Sequence, residues 1–187
     1  MSDPVVRLAD PARDAADIAE IYRPAVELTA ASFEMIAPDA DEMARRITAT
    51  LLHTPWLVAE SETGGVVGYA YAAQHHERAG YRWSVNVSAY IHPEHHGRGV
   101  GRRLYDELLE LLRRQRLVNA YAGIALPNAP SVALHERIGM RRIAVYEGVG
   151  HKLGTWHDVA WYGMRLREPS DPPAEPIWLP DLLPPPE

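Results

Sequence analysis

The 187-residue chain contains no cysteine. That absence removes disulfide frameworks, thiolate-bound zinc, iron–sulfur clusters and a cysteine nucleophile together. Long apolar runs are missing too: none approaches the roughly 20 residues that span a bilayer. Positive charge is in short supply, with 19 Lys and Arg against 25 Asp and Glu and a formal net charge of −6. The basic field that nucleic-acid binding needs is therefore absent. Met1-Ser2-Asp3-Pro4 offers neither a basic n-region nor an apolar h-region, so no secretory signal is expected. The expectation is a soluble cytoplasmic protein with no nucleic-acid and no membrane partner. Nine histidines are present. His75-His76 and His92, His95 and His96 fall in turns without an HExxH pattern or a carboxylate set, so no metal is expected.

What is present suits one domain: 47% of the residues are apolar, and the length allows one continuous core. Residues 169–187 hold eight of the sixteen prolines. So dense a stretch is expected to form no helix and to run extended over the surface, with Trp178, Leu179, Leu182 and Leu183 available to pin it. The body, residues 1–168, reads as alternating segments. Strands are expected at Val5–Ala9, Trp56–Glu60, Val66–Ala73, Tyr81–Ile91, Asn119–Ala125, Arg141–Val149 and Trp156–Arg167. Helices are expected from Asp10 or Asp14 to about Leu28, at Asp39–Leu52, at Gly99–Arg116 and at Pro130–Ile138. Thr63-Gly64-Gly65 marks a hairpin turn. This order implies a mixed sheet covered by helices.

The segment Tyr90-Ile91-His92-Pro93-Glu94-His95-His96-Gly97-Arg98-Gly99-Val100-Gly101-Arg102-Arg103-Leu104 places a glycine-rich turn between a strand and an amphipathic helix. Glycines admit a ligand close to the backbone, and successive N–H groups at a helix start attract a phosphate or pyrophosphate. A Walker loop is excluded because no Gly-Lys-Ser or Gly-Lys-Thr occurs. The spacing of Gly97, Gly99 and Gly101 also differs from the dinucleotide fingerprint. A strand-to-helix turn without a ligand remains the alternative for this segment alone.

A second segment narrows the choice: Leu126-Pro127-Asn128-Ala129-Pro130-Ser131 runs into Leu134-His135-Glu136-Arg137-Ile138-Gly139. Together with Thr54-Pro55-Trp56-Leu57-Val58-Ala59-Glu60, Gly68-Tyr69-Ala70-Tyr71-Ala72 and Gly154-Thr155-Trp156-His157-Asp158-Val159, these words resemble the GNAT N-acetyltransferase superfamily. Within it they are most similar to the phosphinothricin and methionine sulfoximine or sulfone acetyltransferases. The resemblance covers about residues 4–167. It implies an α/β (α+β) GNAT fold, with a mixed, mostly antiparallel twisted sheet of about seven strands and about four flanking helices. It further implies acetyl-CoA as donor and a homodimer. The pyrophosphate would lie on the amides of Arg98, Gly99, Val100, Gly101 and Arg102, after Gly97. The pantetheine arm would lie along Ala89, Tyr90 and Ile91, with Asn128 lining the same cleft. His96 stands where the family commonly has Gln or Arg.

Acetyl transfer from a thioester needs a neutral amine, support for the oxyanion and a proton for the leaving thiolate. The family's proposed base is a strand glutamate, and Asn86 occupies that position. An amide accepts no proton at neutral pH, so Asn86 is expected to orient a water or the amine, or to be an ordinary polar residue of the sheet. His135 matches the family's short-helix histidine and is the candidate to protonate the thiolate or relay the amine proton. The acceptor site would be built from Phe33 and Glu34 with Arg78, Tyr81 and Trp83; Arg78 would clamp a carboxylate or phosphinate. Glu34 is a possible replacement base. The expected activity is N-acetylation of a small amino acid or analogue. The alternatives are another amine (antibiotic, polyamine or protein N-terminus) or a non-catalytic CoA-binding module.

Overall fold

A computed structural model describes residues 4–183. The chain alternates in the order read from sequence, β1 (Val5–Leu8), α1 (Pro11–Glu27), α2 (Ala40–Leu51), β2 (Trp56–Glu60), β3 (Val66–Gln74), β4 (Ser84–Ile91), α3 (Val100–Arg114), β5 (Asn119–Ala125), α4 (Ala129–Arg137), β6 (Arg141–Lys152) and β7 (Thr155–Arg165), and adds one helix, α5 (Leu179–Leu182), in the tail. Side-chain oxygens of Asp10, Asp39 and Asn128 accept amide hydrogens at the starts of α1, α2 and α4, as N-caps do. The seven strands form one mixed sheet in the order β1-β2-β3-β4-β5-β7-β6. Among the described residues β4–β5 is its single parallel pair.

Strand alternation divides the core in two. Leu57, Ala70, Ala72, Val85 and Val87 face α3, whose Leu104, Leu108 and Leu112 are fully buried. Trp56, Val58 and Tyr69 face α1 and α2, through Ile18, Val26, Met43 and Ile47. The second cluster ends at Tyr90 on β4, so the β5–β7–β6 half of that face carries no helix. Among the described residues no helix is long and apolar enough to cross a membrane.

Two expectations need correction. Tyr81 does not begin β4: Ala79–Tyr81 forms a 3₁₀ turn closed by a bond from the Tyr81 amide to the Arg78 carbonyl, and the strand starts at Ser84. Alternation becomes a strand only where a partner is present, and β5 meets β4 first at Ser84. The proline-rich tail also contains a helical turn, α5, with Pro180 in its first turn, where a missing N–H leaves no bond unmade. The tail straps the molecule. Gln115 of the α3 end, fully buried, donates from Nε2 to the carbonyls of His53 and Ile177, and the Leu179 amide donates to His53. Trp178 packs edge-on against His53, and Leu179 is buried.

Candidate active site

The parallel pairing of β4 with β5 covers only Ser84–Asn86, and Asn86 lies opposite Tyr121. β4 continues to Ile91 and β5 to Ala125, so the strands part after Asn86 and open a fork. From Asn86 to Ile91 the free edge of β4 runs about 16 Å at roughly 3.3 Å per residue. Ala89, Tyr90 and Ile91 lie along this edge, paired on their other side with Ala70, Tyr69 and Gly68 of β3; at its outer end the Ile91 carbonyl is taken by His96. An extended chain with amide groups can therefore pair with β4 there, as a third strand would.

The glycine loop stands at the outer end of the fork. Gly97 and Gly99 take φ of +71° and +81°, values that L side chains avoid. A Cβ built on either would meet no atom within 4 Å, so the space above the loop is open. The amides of Val100, Gly101 and Arg102 begin α3 and lack acceptors within the helix. Gly101 has a packing role: its Cβ would stand 3.0 Å from Leu134 Cδ2 of α4. His96 closes the loop by bonding from Nε2 to the Ile91 carbonyl at 2.9 Å. The Arg102 guanidinium is engaged with Asp106 and with the Arg137 carbonyl, so only its backbone is left for an anion. Asn128 Oδ1 caps α4 through the Ser131 amide. These residues fit a pyrophosphate bound by amides, with a pantetheine arm on the β4 edge.

The inner end of the fork opens on the uncovered face of the sheet. Ala73 of β3, Asn86 of β4, Tyr121 of β5 and Gly163 of β7 lie in one row across the strands. His75 follows Ala73 on the same face, and its Nδ1 meets Asn86 Oδ1 at 2.8 Å. Its ring lies among Tyr121, Tyr81 and Trp161, with centroids at 4.8, 5.8 and 6.3 Å. The buried indole N–H of Trp161 has no hydrogen-bond partner among the described residues. Beside this box, a cavity of about 290 Å³ between the end of α2 and the tail is lined in part by Ala73, Ser84 and Thr50. A second, of about 170 Å³, continues from Thr50 past Tyr71 and Arg46.

The loop after α1 borders the same face and is clamped on three sides. Tyr22 donates to Glu34, Ser32 lies 2.6 Å from the Tyr22 hydroxyl, and Lys152 Nζ donates to the Ser32 carbonyl at 2.5 Å. Phe33 lies on Gly150 and near His157 of the β6–β7 hairpin.

Comparison with known proteins places the chain in a family. The acetyltransferase (GNAT) domain family matches residues 8–161. The chain is 39% identical over 170 residues to the L-methionine sulfoximine/L-methionine sulfone acetyltransferase of Salmonella typhimurium, covering 90% of this chain and 98% of that one. It is 34% identical over 167 residues to the phosphinothricin N-acetyltransferase of Streptomyces viridochromogenes, covering 89% and 91%. The solved structure of a GNAT phosphinothricin acetyltransferase from Sinorhizobium meliloti, in complex with acetyl-CoA, superposes with a TM-score of 0.86 at 33% identity, covering 96% of this chain and 97% of that one. The chain belongs to the GNAT acetyltransferase family.

Within this GNAT chain the residues expected from sequence separate into two groups. Asn86, Ala89, Tyr90, Ile91, His96, Gly97, Arg98, Gly99, Val100 and Tyr81 line the fork, its box or the loop at its mouth. Arg78 is exposed beside the box, and its guanidinium has no partner among the described residues. Trp83 does not join them: its Nε1 donates to Ala174 of the tail and its ring lies under Arg82. Glu34 is a poor replacement base. Arg46 grips both its oxygens at 2.8 and 3.0 Å and holds the carboxyl below the usual range, against the opposing effect of burial. His135 has no ring nitrogen to spare. Nδ1 donates to the Ser131 carbonyl at 2.8 Å, which leaves Nε2 to accept from Tyr105 at 3.0 Å. It is 5% exposed, and burial pushes its pKa down. As placed, it fastens α4 to α3.

Sequence reading passed over Tyr121, Trp161 and the partnership of His75 with Asn86. Their common feature is a shared row across strands, which appears only once the register is known.

Proposed function

We propose that the chain transfers acetyl from acetyl-CoA to the amino group of a small amino acid or analogue of the methionine sulfone, methionine sulfoximine or phosphinothricin type. Transfer is direct, without an acyl-enzyme. The observation that carries this reading is the fork: a free strand edge that leads from an amide-lined glycine loop to a polar, aromatic box. The relatives' named substrates supply the acceptor class. Amides at the start of α3 hold the pyrophosphate, and the β4 edge at Ala89–Ile91 aligns the pantetheine arm. Arg78 is the residue for the acceptor's carboxylate, since its planar fork suits bidentate pairing. Deprotonating a peptide-type α-amine of pKa about 8 costs roughly 1.4 kcal/mol at pH 7 and a lysine-type amine near 10 several kcal/mol more; a free amino acid lies between them.

In the same reading residues 1–168 are the catalytic domain, residues 169–187 are a proline-rich C-terminal tail, and the protein works in the cytoplasm as a homodimer. Support for the dimer comes from the β6–β7 hairpin. Ile143, Val145, Tyr146, Val149 and Trp156 are 40% to 66% exposed there, on a sheet edge that open water leaves unpaired.

The test is thiol release from acetyl-CoA with phosphinothricin, methionine sulfoximine, methionine sulfone, common amino acids, polyamines and an aminoglycoside. Release with one of the first three is expected. CoA binding without release across the whole panel would overturn the enzyme reading.

A further inference from the structure

We propose that His75, held by Asn86, is the general base that takes the proton from the acceptor ammonium. The proposal rests on the acetyl-transfer reading above and names the group that performs its first step.

Three observations carry it. First, the geometry of the pair fixes one tautomer. Asn86 Oδ1 accepts from His75 Nδ1 at 2.8 Å, so the lone pair lies on Nε2. An amide oxygen orients an imidazole as the third member of a catalytic triad does. Second, Nε2 has no protein partner among the described residues and does not belong to their buried, partnerless atoms. It is open to a bound amine or to one intervening water. Third, the position is that of the reaction. Asn86 ends the β4–β5 pairing, where the fork closes and an arm laid along β4 from the glycine loop must end. The ring of His75 is walled by Tyr121, Tyr81 and Trp161, which keep it at this point.

The two bases expected from sequence are engaged elsewhere. Glu34 is paired with Arg46, and both nitrogens of His135 are bonded within the protein. The carboxylate absent at position 86 is thus replaced by an imidazole reaching the same place from the neighbouring strand.

The step balances. The ammonium gives one proton to His75 Nε2, and the neutral nitrogen attacks the thioester carbonyl, forming the C–N bond. The C–S bond then breaks. The attacking nitrogen gives up a second proton, which ends on the departing sulfur, and His75 releases the first to solvent. Ammonium and thioester become amide, free thiol and one proton.

The experiment measures thiol release over the amine panel for the full-length wild type, His75→Gln, Asn86→Asp and the double variant His75→Gln/Asn86→Glu. Acetyl-CoA affinity is measured calorimetrically on each protein. His75→Gln is expected to lower kcat/KM by about 10² to 10³-fold, the usual share of a general base, with acetyl-CoA affinity unchanged. Asn86→Asp, which still accepts from Nδ1 but sets an anion beside the ring, is expected to move the acid limb of the kcat/KM–pH profile to higher pH. The double variant, with a carboxylate supplied at position 86, is expected to regain at least about tenfold over His75→Gln. Retention of activity in His75→Gln would overturn the proposal. So would a loss that comes with weakened acetyl-CoA binding and no recovery in the double variant, because that pattern marks a structural residue. Wild-type silence across the panel would remove the acceptor class and the step this base serves, and it is told apart from failure of the base by the wild-type result alone.

Discussion

His135 and His75 lie in one small domain under opposite conditions. His135 sits inside a motif that announces it, yet its ring is 5% exposed, with one nitrogen bonded to Ser131 and the other to Tyr105. His75 belongs to no motif, yet it is half-buried at the fork with one nitrogen anchored and the other open. A motif marks a place on the chain. Whether an imidazole can exchange protons depends on what surrounds both nitrogens, and packing decides that. One histidine holds the structure and the other faces the reaction.

The sharpest way to break this contrast is to compare turnover in the two single variants. His75→Gln is expected to lose about 10² to 10³-fold in kcat/KM, whereas folded His135→Gln stays within about tenfold of wild type. A collapse in the second, at unchanged stability, would return His135 to the chemistry.

Stability should separate the two residues in the reverse direction. His135→Ala leaves the buried Tyr105 hydroxyl without its acceptor and is expected to cost about 2–4 kcal/mol. A melting temperature lower by roughly 5–12 °C would check this. The pH dependence has a definite sign. Burial lowers the His135 pKa in the folded state, so the unfolded chain binds more protons below its own pKa of about 6.5. His135 therefore contributes its full stability above that pH, and the contribution is lost as pH falls toward the folded pKa. Melting curves between pH 7.5 and 5 should decline more steeply for wild type than for His135→Gln.

Truncation after Pro173 tests whether holding and reacting are separable elsewhere. It removes Leu179, 4% exposed, and the partners of Gln115 and Trp83. The expected cost is about 2–3 kcal/mol, with kcat per folded molecule unchanged. The smallest effects belong to the loop. Gly99→Ala imposes a side chain at φ +81° and should cost about 1–2 kcal/mol, with acetyl-CoA affinity weakened several-fold in calorimetry. Gly101→Ala presses only on the flexible end of Leu134; about 1 kcal/mol or less is expected, with little change in affinity.

Much of the fold was legible because its signals are local. The leucine spacing of α3, the acidic helix start at Asp10 or Asp14 and the turn at Gly64-Gly65 each act within a few residues. The glycine loop was legible for the same reason, since a helix start and two left-handed glycines are local devices. The tail was read less well. Its proline content implies no helix, yet Leu179–Leu182 forms one turn, and the strap depends on Gln115 and His53, which lie 62 residues apart in sequence and meet the tail only in three dimensions. Nothing near Trp83 in sequence shows that Ala174, 91 residues on, accepts its indole N–H and holds it away from the acceptor site.

The sequence by itself determined the family, the order of strands and helices, the amide-lined loop and the absence of a carboxylate at position 86. All of these reside in residue identity and short-range spacing. Only the tertiary structure decided which groups answer that absence. The β3–β4 register sets Ala73 opposite Asn86 and so brings His75 to the amide, and the end of the β4–β5 pairing places both at the fork. Register is set by the packing of whole faces, and a slip of one residue would turn His75 to the other side of the sheet.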